Sequence, residues 1–271
     1  VGGAPLPLSV LDGRYPYMAS LQWGTHRCGA TLVAPDVLVT AAHCARVRWE
    51  EEAEVKSEWF TEEELSNKYV PSIYTVQLGK TNLNSDQPDF VEGDKNTSFG
   101  ETLVIEKTIT HPDFDASKLT GPPHPDVAVV KLYGFSKSST LARLNRDPTL
   151  PPAFSEHADS THQQVRTNLT VMGYGVHEHP GSSSAPDTAH HLHGVLRRAT
   201  VTFLPNSECV NRGLWGLLED DMMCGDGDGK RDSCSGDSGG PLFWEGQADD
   251  GGVSAGVAGN VTDIEKATAP G

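Results

Sequence analysis

Short apolar runs, rich in β-branched residues and bounded by turn residues, recur along this 271-residue chain, while long helical periodicity is scarce. The runs are Ala30–Val33 with Val37–Val39, Tyr74–Leu78, Leu103–Ile105, Val127–Val130, Leu169–Met172 and Val201–Phe203. Twenty-eight glycines and 18 prolines punctuate them. This pattern predicts an all-β sandwich or a pair of packed barrels. The length suits one large β unit or two modest lobes. No repeat at solenoid spacing occurs.

Composition sets outer limits. Hydrophobic residues make up 37%, an ordinary globular share once glycine is added, so disorder throughout is excluded. No stretch approaches the roughly 18 apolar residues of a membrane-spanning helix. Asp and Glu number 37 against 21 Lys and Arg, a net charge of −16. Such a body argues against nucleic acid as a partner and favours cationic ones. The chain opens at Val1 with no Met and no signal segment, so processing or cutting is expected to have removed what preceded it. Of five cysteines, Cys28 and Cys44 are close in sequence, as are Cys209 and Cys224. None forms a CxxC pair, which disfavours structural zinc. The expectation is two local disulfides in an oxidising compartment, with Cys234 left over.

Two segments break the β pattern. Arg46–Lys68 carries Glu50–Glu52, Glu54 and Glu62–Glu64, and Thr61 with Glu64 has capping-box spacing for a short helix. It reads as a solvated acidic insertion; the sharper alternative is a rim that attracts basic groups. His177–His193 holds five histidines around Pro180–Pro186 and reads as a turn-rich excursion. Without a defined ligand geometry it supplies no metal site, and none is expected. Asp226–Gly229 resembles the start of a calcium loop, but Lys230 and Arg231 occupy positions that need a ligand and a glycine. Asn96, Asn168 and Asn260 lie in N-glycosylation patterns, and Asn96, in a polar loop, is the best placed.

The strongest chemical signal is Gly236–Asp237–Ser238–Gly239–Gly240–Pro241. A serine between glycines can sit on a tight turn with its hydroxyl exposed, and the glycines let a substrate approach closely. The amides of Gly236 and Ser238 are then candidates for an oxyanion hole. A serine hydroxyl needs a base, and His43 in Thr40–Ala41–Ala42–His43–Cys44 is the candidate. The base needs a carboxylate, and Asp126 stands before Val127–Val130. Singly, each has an ordinary explanation: a glycine turn, a structural histidine, a turn aspartate.

Together, in the order His43, Asp126, Ser238, these segments resemble the signatures of trypsin-family, chymotrypsin-like serine proteases. Val1–Gly3, Tyr15–Leu21, His111–Phe114 and Gly173–Tyr174–Gly175 are similar to further stretches of that family. The resemblance implies two antiparallel β-barrels, roughly 14–140 and an incomplete 141–271, with the active site between them. It implies a secreted endopeptidase without cofactors, with Ser238 as nucleophile, His43 as base, Asp126 as orienter and Gly236 with Ser238 as oxyanion hole. It pairs Cys28 with Cys44 and Cys209 with Cys224. Asp232, six residues before Ser238, implies cleavage after Arg or Lys. Asp237 implies an ion pair with a newly freed N-terminal amine. Protein or peptide substrates, and protein inhibitors, are the implied partners. Departures are Gly259–Val261 in place of Ser-Trp-Gly, no later cysteine for Cys234, Lys80 where a calcium loop has a carboxylate, and an end at Pro270–Gly271, expected to be a truncation. The alternative reading is a non-catalytic protease-like binding protein, kept open by the pocket wall and Cys234.

Overall fold

The computed structural model describes residues 4–5, 15–45, 47–51, 54–58, 74–84, 89–90, 98–114, 125–138, 140–146, 154–158, 164–176, 194–211, 222–227 and 232–244. Six strands close into an antiparallel barrel: β1 (Met18–Trp23), β2 (Thr25–Ala34), β3 (Val37–Thr40), β4 (Tyr74–Leu78), β5 (Glu101–Thr110) and β6 (Ala128–Leu132). Their order around the wall is β5-β6-β3-β2-β1-β4. Closure leaves no unpaired edge in this wall. Inward positions alternate with outward ones, as a strand's two-residue period requires. Met18, Ala30, Leu32, Leu38, Val76, Leu78, Val130 and Leu132 fill the interior and are essentially inaccessible to water. Each such leucine or valine contributes about 1.5–3 kcal/mol by leaving water.

A second sheet joins β7 (Asn168–Gly173), β8 (Arg197–Leu204), β9 (Cys224–Asp226) and β10 (Leu242–Phe243) to the two-residue strand Ala4–Pro5. β7 and β8 pair antiparallel from Asn168↔Thr202 to Gly173↔Arg197, and β10 adds to β7 at Thr170↔Phe243. Leu169, Val171, Ala199, Val201 and Leu242 form this sheet's own apolar cluster. Met172, Tyr174 and Phe243 join the barrel's core instead. The Phe243 ring lies 5.5 Å from Tyr17 and 6.0 Å from Tyr15, so an aromatic cluster ties the two sheets together. Helix is confined to a 3-10 turn at Ala42–Ala45 and α1 (Asn206–Asn211) among the described residues.

The expected all-β architecture is thus present, with one closed barrel and a second, open sheet of five strands among the described residues. The disulfides Cys28–Cys44 and Cys209–Cys224 are formed, and Cys234 joins neither. The acidic segment begins as a hairpin, Val47–Glu51 against Glu54–Glu58, because its backbone groups pair with each other. The helix expected from Thr61, the histidine excursion at 177–193, Asn96, Val1–Gly3, Gly259–Val261 and the chain end lie outside the described residues.

The two sheets also meet at bare backbone. A Cβ on Gly29 of β2 would lie 2.7 Å from the Gly240 Cα, a distance real side chains do not reach. Gly29→Ala is therefore expected to lower stability by about 1–3 kcal/mol through overpacking, read as a shifted urea midpoint. An unchanged midpoint contradicts the close approach.

Candidate active site

Three short pieces of chain converge beside that glycine contact. The first is the 3-10 turn carrying His43, which leaves β3 and is anchored by the Cys28–Cys44 disulfide. The second is Pro125–Val127, which leads into β6 next to β3 in the barrel wall. The third is the turn Cys234–Gly240.

Asp126 grips His43 twice. The backbone N–H of His43 donates to Asp126 Oδ1 at 2.7 Å, and the ring Nδ1 lies 2.5 Å from Oδ2. The Asp126 side chain is 1% exposed while that of His43 is 35% exposed. A carboxylate can only accept, so Nδ1 carries the proton and Nε2 presents its lone pair. One carboxylate thus sets both the position of the residue and the tautomer of its ring. The ring's Nε2 lies 3.6 Å from Cys44 Sγ. The same sulfur lies 3.6 Å from the carbonyl oxygen of Ser238. His43 and Ser238 therefore flank one atom of the disulfide. No Ser238 Oγ–His43 hydrogen bond closes among the described residues.

The backbone of the turn carries the rest of the geometry. In a trans peptide the carbonyl and the following N–H point in opposite directions within one plane, so anchoring the carbonyl aims the amide. Val176 N–H holds Ser235 O at 2.9 Å and so orients the plane carrying the Gly236 N–H. Gly240 N–H holds Asp237 O at 2.9 Å and so orients the plane carrying the Ser238 N–H. Neither the Gly236 nor the Ser238 amide finds an acceptor among the described residues. Gly236 has φ of +93°, a conformation that glycine adopts without strain. Gly29 N–H closes the turn onto the barrel by donating to Ser238 O at 2.8 Å.

The Asp237 carboxylate turns inward. Its Oδ1 accepts from Gly175 N–H and its Oδ2 from Cys234 N–H, both at 2.8 Å. It borders a cavity shared with Asp232, Gly173, Gly175, Arg197 and Arg198. Asp232 is half-buried, and its Oδ1 accepts from Ser233 N–H at 2.8 Å. The described metal-type trio Cys28, His43 and Cys44 has both sulfurs tied in a disulfide and offers no thiolate.

Sequence reasoning missed His26. This residue is 4% exposed. Nδ1 lies 2.6 Å from Ser20 Oγ, and Nε2 lies 2.8 Å from the Gly236 carbonyl. Gln22 Nε2 donates to Ser20 Oγ at 2.5 Å. The carbonyl can only accept, which places the ring proton on Nε2 and leaves Nδ1 to accept from Ser20. Burial lowers the His26 pKa from 6.5 to about 4, against a partial upward pull from the Gly236 bond. In sequence, the one hint was its place two residues before Cys28, on the inward phase of β2.

That shift has a measurable sign. Between pH 6.5 and 4 the unfolded chain protonates this histidine while the folded chain does not. Stability therefore rises with pH through that window, and acidification below it removes about 3 kcal/mol. Urea midpoints at pH 7 and pH 4.5 are expected to differ less in His26→Gln than in the parent. An equal difference contradicts a buried neutral ring.

Comparison with known proteins adds the family context. The profile of the Trypsin family matches residues 9–269. The chain is 27% identical over 268 residues to serine protease Hayan of Drosophila melanogaster, covering 90% of this chain and 33% of that protein. It is 27% identical over 252 residues to coagulation factor XII of Cavia porcellus, covering 92% and 34%. Against kallikrein-1 of Mus musculus it is 24% identical over 232 residues, covering 84% and 70%. The chain thus spans about a third of the length of two of these relatives.

Proposed function

The chain belongs to the trypsin family of serine proteases, and from that premise we propose a secreted endopeptidase that cleaves after Arg or Lys. The observation that carries the reading is the double grip of buried Asp126 on His43, beside a serine whose neighbouring amides are held without acceptors. His43 and Asp126 come from the 14–140 lobe and Ser238 from the 141–271 lobe.

In this mechanism Ser238 Oγ attacks the scissile carbonyl and passes its proton to His43 Nε2. The imidazolium that forms is balanced by Asp126 across the 2.5 Å contact. The new oxyanion accepts from the Gly236 and Ser238 amides, which need no reorientation at the moment of attack. His43 returns the proton to the leaving amine, and an acyl-enzyme remains on Ser238. Water, deprotonated by His43, then hydrolyses the ester. Asp232 sits at the base of the primary pocket, where a desolvated carboxylate selects Arg or Lys over apolar side chains. Asp237 receives the amine freed by activation cleavage; its carboxylate on the cavity wall supports this. Substrates are proteins or peptides with Arg or Lys, and protein inhibitors would occupy the same cleft. Two disulfides support an oxidising, extracellular setting. Among the described residues no helix is long and apolar enough to cross a membrane.

Matched peptide amides ending in Arg, Lys, Phe or Ala test this reading. The activated protein is expected to cleave after Arg and Lys, and Ser238→Ala to abolish cleavage. Asp126→Asn is expected to lower kcat by about 10⁴-fold, because the ring loses the partner that fixes its tautomer. Asp232→Ser should remove the preference for basic residues while leaving ester hydrolysis by Ser238. Cleavage after Phe or Ala by the parent would keep the enzyme and refute the pocket assignment. No cleavage of any substrate would point to the non-catalytic binding protein.

A further inference from the structure

On one face of the second sheet, apolar pairs run in a row up to a single point. β7 and β8 pair so that Leu169 stands opposite Val201 and Val171 opposite Ala199, and all four belong to this sheet's apolar cluster. The next pair on that face, two residues along each strand, is Gly173 with Arg197. Gly173 has no side chain, and another group takes its place. A Cβ on Gly173 would overlap Asp237 Oδ1, and one on Gly175 would lie 2.6 Å from it. The Asp237 carboxylate thus fills the side-chain position opposite Arg197. Both residues border one cavity, and Arg197 Nε is buried. The row ends on a cation where its cross-strand neighbour is an anion.

We propose that Arg197 is a built-in counter-charge for Asp237, sharing with the freed N-terminal amine the task of keeping the carboxylate inward and the nucleophile turn in its working shape. The inference rests on the proteolytic reading above. Asp237 matters to the turn through both ends of the residue. Its carboxylate accepts from the Gly175 and Cys234 amides, and its own carbonyl accepts from Gly240 N–H, which orients the plane of the Ser238 amide. A carboxylate that swings outward therefore carries an oxyanion-binding amide with it. Away from water, such a group needs cations to stay charged. The amine is present only after activation cleavage, whereas Arg197 is present before and after it. A guanidinium stays charged at every working pH and rides on a long flexible stem, so it can follow the carboxylate. Arg198 also borders the cavity, but it stands opposite Met172, which joins the barrel core on the other face. Asp232 borders the cavity too and is the competing carboxylate. Ala4–Pro5 pairs with Arg198 and Arg197, so the N-terminal segment runs alongside the strand that carries the arginine.

The protein before and after activation cleavage separates this role from simple packing. Both forms come from one chain carrying an engineered cleavage site ahead of the mature N-terminus. Before cleavage Arg197 acts on Asp237 without the amine; afterwards the two act together. Linked groups of this kind typically couple by about 5- to 150-fold. The uncleaved parent is therefore expected to hydrolyse Arg and Lys peptide amides slowly but measurably. Arg197→Gln is expected to lower that kcat/KM roughly 10-fold while changing the cleaved enzyme less than about threefold. Arg197→Lys keeps the charge and should restore the uncleaved rate. Arg198→Gln removes the same charge from the opposite face and should leave both forms near the parent. Labelling of Ser238 by a fluorophosphonate extends the measurement to rates too low for peptide hydrolysis. If Arg197→Gln does not fold, Arg197→Met, apolar like Ala199 and Val201 in the same row, takes its place.

An uncleaved parent inert to both peptide and probe overturns the proposal, since Asp237 then depends on the amine alone. So does an Arg197→Gln effect of the same size before and after cleavage, an equal effect of Arg198→Gln, or no rescue by Lys. A change confined to the KM of Arg and Lys substrates also overturns it and assigns the guanidinium to Asp232. If the cleaved parent itself neither hydrolyses peptides nor reacts at Ser238, the proteolytic reading fails and this inference falls with it.

Discussion

The molecule depends on one place where two backbones touch with no side chain between them. Gly29 of the barrel and Gly240 after the nucleophile turn approach until even a methyl group would collide. At that distance the Gly29 N–H can reach Ser238 O. The bond fixes the serine's backbone against the barrel that also carries His43 and Asp126. Larger residues on either strand would force the two apart and misplace the hydroxyl by more than a catalytic geometry tolerates. The glycines of Gly236–Pro241 thus answer to a distance constraint as well as to turn conformation.

Around that contact the restraints come from different kinds of force. The Cys28–Cys44 disulfide ties the His43 turn to the same strand that holds Gly29. Asp126 adds direction, because two hydrogen bonds to one residue define both its place and its ring plane. Aromatic packing of Phe243 on Tyr15 and Tyr17 keeps the second sheet seated on the barrel. The Asp126 bonds and the Phe243 packing join elements far apart in sequence. The site is therefore a product of the whole fold and has no local origin in any one segment.

Much of this was legible in the residues, for physical reasons that differ from case to case. Val127–Val130 and Leu169–Met172 read as strands because β-branched and apolar side chains fit a buried pleat; the second lies wholly in β7 and the first enters β6 at Ala128. The strand read at Leu103–Ile105 runs from Glu101 to Thr110, since pairing with β4 on one end and β6 on the other carries it through polar residues. The hairpin at residues 47–58 was hidden inside a run of glutamates, where charge spoke louder than the weak alternation of Val47, Trp49 and Val55. Cysteine spacing gave both disulfides. His26 could not be read in this way. Its partner carbonyl is 210 residues away, and a histidine in a strand carries no mark of what it will meet. The two hydrogen bonds that His43 donates to Asp126 were equally invisible, because sequence order lists the pair without saying which atoms face each other.

The central claim is that this arrangement makes Ser238 a nucleophile. The most direct measurement is the site of covalent modification by a serine-directed fluorophosphonate, located by peptide mass spectrometry. The account predicts one adduct, on Ser238, absent from the His43→Ala protein and from the unfolded chain. A folded, activated protein left unmodified, or modified at another residue at the same rate with and without His43, would contradict it.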